Sequence, residues 1–209
     1  MEYSEVVRRR RMVRNYDPDR PVPREVLTEL LELAIRAPSA GFSQGWHFLV
    51  LESAADRAGF WGAATDSDGE PDPWLRDMQT APALIIAMSD KMAYIDRYAA
   101  PDKGWTDRDE AHWPVPYWDI DTGMASLLIL LGAVDRGLAS CFFGVPADRH
   151  GQVKQAFGIP DRLALVGVIS VGHPMPDRRS PSLKRGRRPV SEVASFGRMD
   201  ATANQRPTG

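Results

Sequence analysis

The chain has 209 residues, a length that suits one globular domain with a sizeable core. Apolar residues make up 43% and charged residues 26% of the sequence, which excludes a disordered or fibrous protein. The formal net charge of −2 excludes a global field that would attract nucleic acid or an anionic membrane, so any basic patch must be local.

Cysteine usage and the N-terminal segment both favour a cytoplasmic protein. Cys141 is the only cysteine, which excludes an intramolecular disulfide, a CxxC redox pair and a thiolate zinc site. The first 14 residues are polar and carry five arginines, instead of the apolar core of a signal peptide. The longest apolar run, 123–134, is shorter than the roughly 20 residues of a membrane span. We therefore expect no membrane contact.

The first confident elements are a helix and the strand that follows it. Apolar residues at three- and four-residue intervals predict an amphipathic helix over 23–37. Pro38 ends this helix, and small and polar residues at 39–45 predict a loop. The run Trp46–Leu51 is typical of a strand.

Strands and helices alternate along the rest of the chain. A second strand is predicted at 83–88, after a helix or two interrupted by a turn-rich stretch at 66–71. A long helix is predicted at 117–137, and it is apolar on every side, so it must be enclosed by protein, as at a subunit interface. The remaining predictions are a strand at 138–143, a short helix at 147–157 and a strand at 163–171. This alternation indicates an α/β or α+β domain.

Two arginine clusters lie at opposite ends of the chain, at 8–14 and 184–188. Clustered guanidinium groups suit a phosphate, because each presents several donors in a planar fork. A solvated basic face or a nucleic-acid patch would have the same composition. We expect one domain at 1–199 with a basic C-terminal arm, and a disordered tail at 200–209.

Several stretches in order resemble the nitroreductase family of flavoproteins. Residues 9–17 (RRRMVRNYD) look like its opening basic motif, and 37–48 (APSAGFSQGWHF) is similar to its most recognisable signature. Further matches are 139–144, like the strand and turn beside the flavin; 166–174, like the last core strand; and 185–189, like the phosphate-binding arm. The resemblance covers most of 5–195. It implies an α+β fold with a central, mainly antiparallel sheet flanked by helices, and an intertwined homodimer.

The resemblance also implies FMN as cofactor, bound at the dimer interface. Four arginines would bind the phosphate and ribityl end of FMN: Arg10, Arg14, Arg185 and Arg187. Two residues would lie along the flavin, Arg11 and Met12. Four would reach the isoalloxazine from the other subunit: Pro38, Ser39, Ala40 and Phe42. Three would border the ring, with the backbone N–H of their turn directed towards the flavin N5: Phe142, Phe143 and Gly144.

Four positions depart from the family pattern. Met12 replaces a usual serine, Phe42 a usual asparagine and Gly45 a usual proline, so polar contacts to the cofactor are fewer. The retained arginines still favour a phosphorylated ligand, and a deazaflavin is an alternative to FMN. Phe143 replaces a usual acidic residue, which favours anionic or apolar substrates.

The implied activity is electron transfer from NADH or NADPH through the flavin N5 to a small electron-poor acceptor. Nitroaromatics, quinones and activated alkenes are the candidate acceptors, and ping-pong kinetics are expected. The cofactor carries this chemistry, so no protein nucleophile is required. Trp113 and Tyr117 are weaker candidates for substrate contact. The scattered histidines indicate no metal site.

Two other functions remain compatible with the residues. One is a flavin or deazaflavin binding protein with little turnover, because the departures at Met12 and Phe42 affect the expected cofactor contacts. The other is a small nucleic-acid binder whose basic arms meet a phosphate backbone, with salt-sensitive retention on DNA. The sequence contains neither a GxGxxG nor a GxxxxGK[ST] motif, so NAD(P)H would have to dock over the flavin.

Overall fold

The computed structural model describes residues 1–65, 73–178 and 180–199. The turn-rich stretch expected at 66–71 and the tail expected at 200–209 lie outside the described residues. The chain divides into two units, Met1–Asp177 and Arg178–Gly209.

The first unit is built on a four-stranded sheet in which every neighbouring pair is antiparallel. The strands are β1 (Trp46–Leu51), β2 (Ala83–Asp90), β3 (Ala139–Phe143) and β4 (Leu163–Gly172). They lie in the order β1-β2-β4-β3, so β1 and β3 are the two edges. All four predicted strands are present, and each differs from its predicted bounds by no more than two residues at an end. The mainly antiparallel sheet expected from the resemblance is confirmed.

The helices of the first unit are α1 (Tyr3–Arg9), α2 (Arg24–Ala34), α3 (Ala54–Ala64), α4 (Pro73–Met78), α5 (Lys91–Ala99), α6 (Tyr117–Asp135) and α7 (His150–Phe157). The predicted helix at 147–157 begins with a 3-10 turn, Ala147–Arg149, before α7. Two helices, α1 and α5, were not predicted. Both are short, and α5 begins where the Asp90 side chain accepts a hydrogen bond from the Met92 backbone N–H.

The second unit contains more regular structure than a fully extended arm. A 3-10 helix spans Pro181–Arg185, and a four-residue helix, α8, spans Val190–Val193. Arg188 contacts Glu192 within this unit, with 3.1 Å between Nε and Oε2. Short helical turns therefore interrupt the basic segment.

The core lies on both faces of the sheet, because β2 is buried along its whole length. Its alternate side chains Leu84 and Ile86 join a cluster that includes residues of α3 and α7. The neighbouring residues Ala83 and Ile85 point to the other face and join a second cluster with α2 and α6. A strand with helices on both faces needs apolar residues at every position, which explains the unbroken apolar run that predicted it.

Helix α6 packs on α2 and on the sheet, but one side of it stays open within the chain. Ile120 and Leu127 on that side are 44% and 46% exposed. By length and composition it is the one described helix that could cross a membrane, and half of its most apolar window is buried inside the chain, as in the core helix of a soluble protein. The chain by itself therefore does not give this helix the all-round enclosure that its sequence predicts.

A tight contact explains why Gly45 replaces the proline usual in the family. A Cβ atom at this position would lie 2.5 Å from the Tyr94 ring and 2.8 Å from the Asp90 carbonyl oxygen. The Asp90 N–H also donates to the Gly45 carbonyl at 2.7 Å, so the two backbones cannot separate freely. Only glycine fits this approach at the start of β1.

We therefore expect Gly45→Ala to destabilise the protein by about 1–3 kcal/mol, because the new methyl group overlaps a backbone atom. Urea unfolding of the variant measures this change in the free energy of unfolding. Gly144→Ala is the matched control, because a Cβ atom there meets nothing within 4 Å. Equal stability of Gly45→Ala and the wild type would contradict the packing described here.

Candidate active site

The segment at 10–14 lies along the free edge of β3. Met12 bridges to Ser140 in parallel, and the Val13 N–H donates to the Ser140 carbonyl at 3.0 Å. Beyond this point the pairing stops, and the Phe142 N–H donates to the Met12 sulfur at 3.4 Å. A thioether is a weak acceptor. The end of β3 is therefore covered by a flexible side chain and not by another strand.

Two arginines of this segment keep guanidinium nitrogens that are buried and have no hydrogen-bond partner among the described residues. These are Nη1 of Arg10 and Nε of Arg14. Arg14 is otherwise well anchored, since its backbone N–H donates to Asp177 at 3.1 Å and its Nη1 to the Met12 carbonyl at 3.4 Å. A buried cationic donor without an acceptor is costly, and an anion such as phosphate satisfies it. Arg11, by contrast, is exposed.

The fully buried Tyr16 fixes the end of this segment. Its hydroxyl group donates to the Val13 carbonyl and contacts Ser170 Oγ of β4 at 2.7 Å. Burial raises the pKa of Tyr16, so the hydroxyl stays protonated and remains a donor. The position of the arginines along β3 therefore depends on a buried hydrogen bond to the sheet.

The end of β3 directs two aromatic rings to opposite faces of the sheet. Phe142 is half-buried and packs beside the cluster formed with α2 and α6. Phe143 is buried on the other face and stacks on Trp61, with ring centroids 5.6 Å apart and planes 9° apart. Gly144 follows in an exposed position. Phe143 therefore serves as core packing in this chain.

A cavity of about 270 Å³ opens beside the Phe143–Gly144 turn. Its lining is mainly apolar, with three aromatic residues and two charged ones, and it includes Trp61, Trp74, Phe143, Gly144, Asp148 and Arg149. The indole N–H of Trp61 is buried without a partner in the described part of the chain. This space can accept a flat ring that offers a hydrogen-bond acceptor.

The loop at 38–42 is anchored to α5 and α6. The Ala40 N–H donates to the buried Asp121 carboxylate at 2.8 Å, and the Tyr94 hydroxyl donates to the same oxygen at 2.8 Å. Arg97 donates to the Gly41 carbonyl at 3.0 Å while it pairs with Asp102. Pro38 and Phe42 are exposed on this loop, and Ser39 and Ala40 are half-buried.

The structure places the predicted site residues in separate groups. It brings the segment with Arg10, Met12 and Arg14 alongside β3. The loop at 38–42 precedes β1, at the opposite edge of the sheet. Three strand spacings separate the edges, which is roughly 14 Å. Arg185 and Arg187 are exposed residues of the second unit.

Trp113 packs in an aromatic cluster on α5 and α6. Its ring centroid is 4.6 Å from that of Tyr98 and 5.9 Å from those of Tyr94 and Tyr117. Packing explains this tryptophan without a substrate. Tyr117, at the start of α6, is 37% exposed. Cys141 is buried, and burial raises its pKa to about 11, so its thiol is unreactive near neutral pH.

Sequence reasoning missed the residues that hold the loop, namely Asp121, Tyr94 and Arg97. One signal was available for Asp121, because a carboxylate stands beside the apolar run of a core helix and must find donors there. Tyr94 and Arg97 lie on α5, which was not predicted. Trp61 carries no local signal, because its role depends on the ring it meets across the core.

A family model described as "Nitroreductase family" matches residues 7–173. The chain belongs to the nitroreductase family. It is therefore an oxidoreductase, and the expectation drawn from its motifs is confirmed. The match includes the 10–14 segment, the 38–42 loop and the end of β3, and it stops before the second unit.

This nitroreductase-family chain is similar to relatives with enzyme names and to a solved flavin complex. It is 30% identical to a 4-nitrobenzoate reductase of Nocardioides sp., over 93% of this chain and 89% of the relative. It is 25% identical to an NADH dehydrogenase of Thermus thermophilus, over 79% of this chain and 83% of the relative. Among solved structures, it resembles a candidate nitroreductase of Exiguobacterium sibiricum in complex with FMN, with 25% identity, a TM-score of 0.72 and coverage of 94% and 97%.

The anchoring of the loop can be tested at Asp121. Replacing it by alanine leaves the Ala40 N–H and the Tyr94 hydroxyl without their acceptor, so we expect a loss of about 3 kcal/mol in the free energy of unfolding. Tyr94→Phe is the matched control, because it removes one donor and keeps the carboxylate with Ala40, and it should cost about half as much. Urea unfolding measures both. An Asp121→Ala variant as stable as Tyr94→Phe would show that the carboxylate does not hold the loop.

Proposed function

We propose that the chain acts as a homodimeric, FMN-dependent oxidoreductase that passes electrons from NADH or NADPH to a small, electron-poor acceptor. The observation that carries this function is the pair of buried, unpartnered guanidinium nitrogens on Arg10 and Arg14, beside the open end of β3. An anionic group would satisfy these donors, and a flavin phosphate is such a group. Arg11 lies in the same segment, and the family resemblance assigns Arg185 and Arg187 to the same phosphate.

FMN supplies the two-electron chemistry at N5, and the protein binds and orients the reactants. With a quinone, the overall reaction converts NAD(P)H, a proton and the quinone into NAD(P)⁺ and the hydroquinone. The exposed turn at Phe143–Gly144 presents backbone next to an aromatic cavity, where a ring can be shielded from water. Met12 and Phe142 would line the flavin along the strand edge.

Two features of the chain support a homodimer. The arginine segment and the loop at 38–42 lie at opposite edges of one sheet, so one chain does not bring them to the same ring. The open side of α6, with Ile120 and Leu127, is an apolar surface that a second copy would cover. In the dimer, Pro38, Ser39, Ala40 and Phe42 of one subunit complete the partner's flavin site.

The names of the relatives fit this activity. One relative is a 4-nitrobenzoate reductase, another is an NADH dehydrogenase, and a structural neighbour holds FMN. Together they favour a nicotinamide donor, a flavin and an aromatic nitro compound as one accepted substrate. We further propose that the protein is cytoplasmic and that donor and acceptor bind in turn in a ping-pong cycle. Tyr117 would lie beside the entrance to the substrate site.

The first test is the visible spectrum of the purified protein, with mass analysis of any cofactor that it releases. We expect a flavin band, released FMN, and bleaching of the band when NADH or NADPH is added without oxygen. A released deazaflavin would replace FMN in the proposal. A flavin that neither nicotinamide reduces would indicate a binding protein without turnover, and a colourless protein that takes up no FMN would overturn the proposal.

The phosphate assignment is tested by replacing Arg14 and Arg187 together with alanine. Each lost charge-assisted contact costs about 1.5 kcal/mol, so the double variant should bind FMN about 100-fold more weakly. Quenching of FMN fluorescence during titration of the apoprotein measures the Kd. Arg24→Ala is the control, because Arg24 lies on α2 and pairs with Glu52. Wild-type FMN affinity in the double variant would remove these arginines from the phosphate site.

A further inference from the structure

The loop before β1 holds three nearly consecutive residues in the left-handed backbone region. The φ angles are 60° at Gly41, 57° at Phe42 and 52° at Gln44. Glycine adopts this conformation without cost, whereas a side chain with a Cβ atom is strained in it. Phe42 is therefore held in a conformation that its own residue type does not favour.

The surrounding contacts keep the loop in this conformation. A Cβ atom at Gly41 would lie 2.6 Å from the Tyr98 ring, so that position must be glycine. Arg97 and Asp121 hold the backbone on either side of it, at the Gly41 carbonyl and the Ala40 N–H. The loop is therefore a rigid support, and the direction of the next side chain is set by its neighbours.

The Phe42 ring receives no burial in return for this strain. The residue is 73% exposed, although phenylalanine is among the most apolar side chains. A glycine or asparagine at this position would relieve the backbone and give up little burial within this chain. A strained residue that gains little burial in its own chain indicates a contact outside the chain.

The chemistry of the ring indicates what that contact is. Phenylalanine offers no donor or acceptor, so it cannot satisfy the polar edge of a flavin as an asparagine does. It offers an aromatic face, which binds a second flat ring by offset stacking. Met12 and Phe143 also replace polar family residues, and Phe143 removes the acidic residue that is usual at its position. A neutral or anionic aromatic molecule fits these surroundings.

We propose that Phe42 of one subunit stacks on the aromatic ring of the electron acceptor bound at the partner subunit's flavin. This contact would make the enzyme select nitroaromatics and quinones over acceptors without a ring. Because the loop acts at the partner's site, this role rests on the function proposed above. Phe42 is then a specificity residue for the acceptor more than a contact for FMN.

Binding of two matched acids to the oxidised, FMN-loaded enzyme tests the proposal. Benzoate and cyclohexanecarboxylate carry the same charge, but only benzoate has an aromatic ring, and neither is reduced. We expect Phe42→Leu, which keeps an apolar side chain, to weaken benzoate about fivefold relative to cyclohexanecarboxylate, and Phe42→Tyr to keep the wild-type ratio. The flavin difference spectrum measures both Kd values. An unchanged ratio in Phe42→Leu would overturn the proposal.

Turnover with nitrobenzene provides a second measurement. In Phe42→Leu the KM for nitrobenzene should rise about fivefold while kcat changes less, because stacking acts on substrate binding. Gln44→Gly is the control, since it relieves a left-handed residue of the same loop and keeps the ring. A KM that rises equally in Gln44→Gly would assign the effect to the loop and overturn a role for the ring.

The thermal stability of Phe42 variants distinguishes backbone strain at this residue from a role in acceptor binding. Phe42→Gly should raise the Tm of the apoprotein by about 2 °C, because glycine accepts the left-handed conformation, and should lose the preference for benzoate. A lower Tm would show that Phe42 stabilises its own chain, which overturns the proposal. Loss of FMN from Phe42→Leu would make Phe42 a flavin contact instead. A wild-type protein without FMN would refute the proposed function itself and this role with it.

Discussion

The buried carboxylate of Asp121 holds the loop at 38–42 in place, because it accepts hydrogen bonds from the loop and from α5. One oxygen accepts from both Tyr94 and Ala40, so a helix of the core, a short helix and a loop meet at one atom. A buried charge is tolerated only when donors surround it, and here the donors come from distant parts of the chain. The core of the protein and the shape of the loop therefore cannot vary independently.

At the opposite edge of the sheet, an incomplete pairing with β3 holds the N-terminal segment that carries the arginines. The N-terminal segment pairs with β3 only as far as Ser140, and beyond it the sulfur of Met12 takes the place of a backbone acceptor. The segment cannot slide along the strand, because Tyr16 ties it to β4. This arrangement fixes the positions of Arg10 and Arg14 along the open backbone edge of β3. In the function that we propose, this arrangement would support a phosphorylated ligand without a dedicated binding domain.

Opposite edges of one sheet are a poor place to build one site, and in the homodimer that we propose a second copy of the chain would resolve the difficulty. The loop at 38–42 is rigid, and α6 leaves an apolar side uncovered. Both features are costly for an isolated chain and useful for a dimer whose sites combine elements of two subunits. The strained Phe42 fits the same reasoning, because most of its side chain is exposed in its own chain.

The sequence by itself determined the four strands, the long apolar helix and the family, because these depend on local periodicity and on short motifs. It also identified the arginines and the departures at Met12 and Phe42. Contacts between distant segments reveal which guanidinium nitrogens have no partner among the described residues, and why Gly45 has no side chain. These contacts could not be predicted because the residues that make them lie far apart along the chain. Ala40 and Asp121 are 81 residues apart, and no local pattern specifies that a carboxylate in one helix will meet the N–H of that loop.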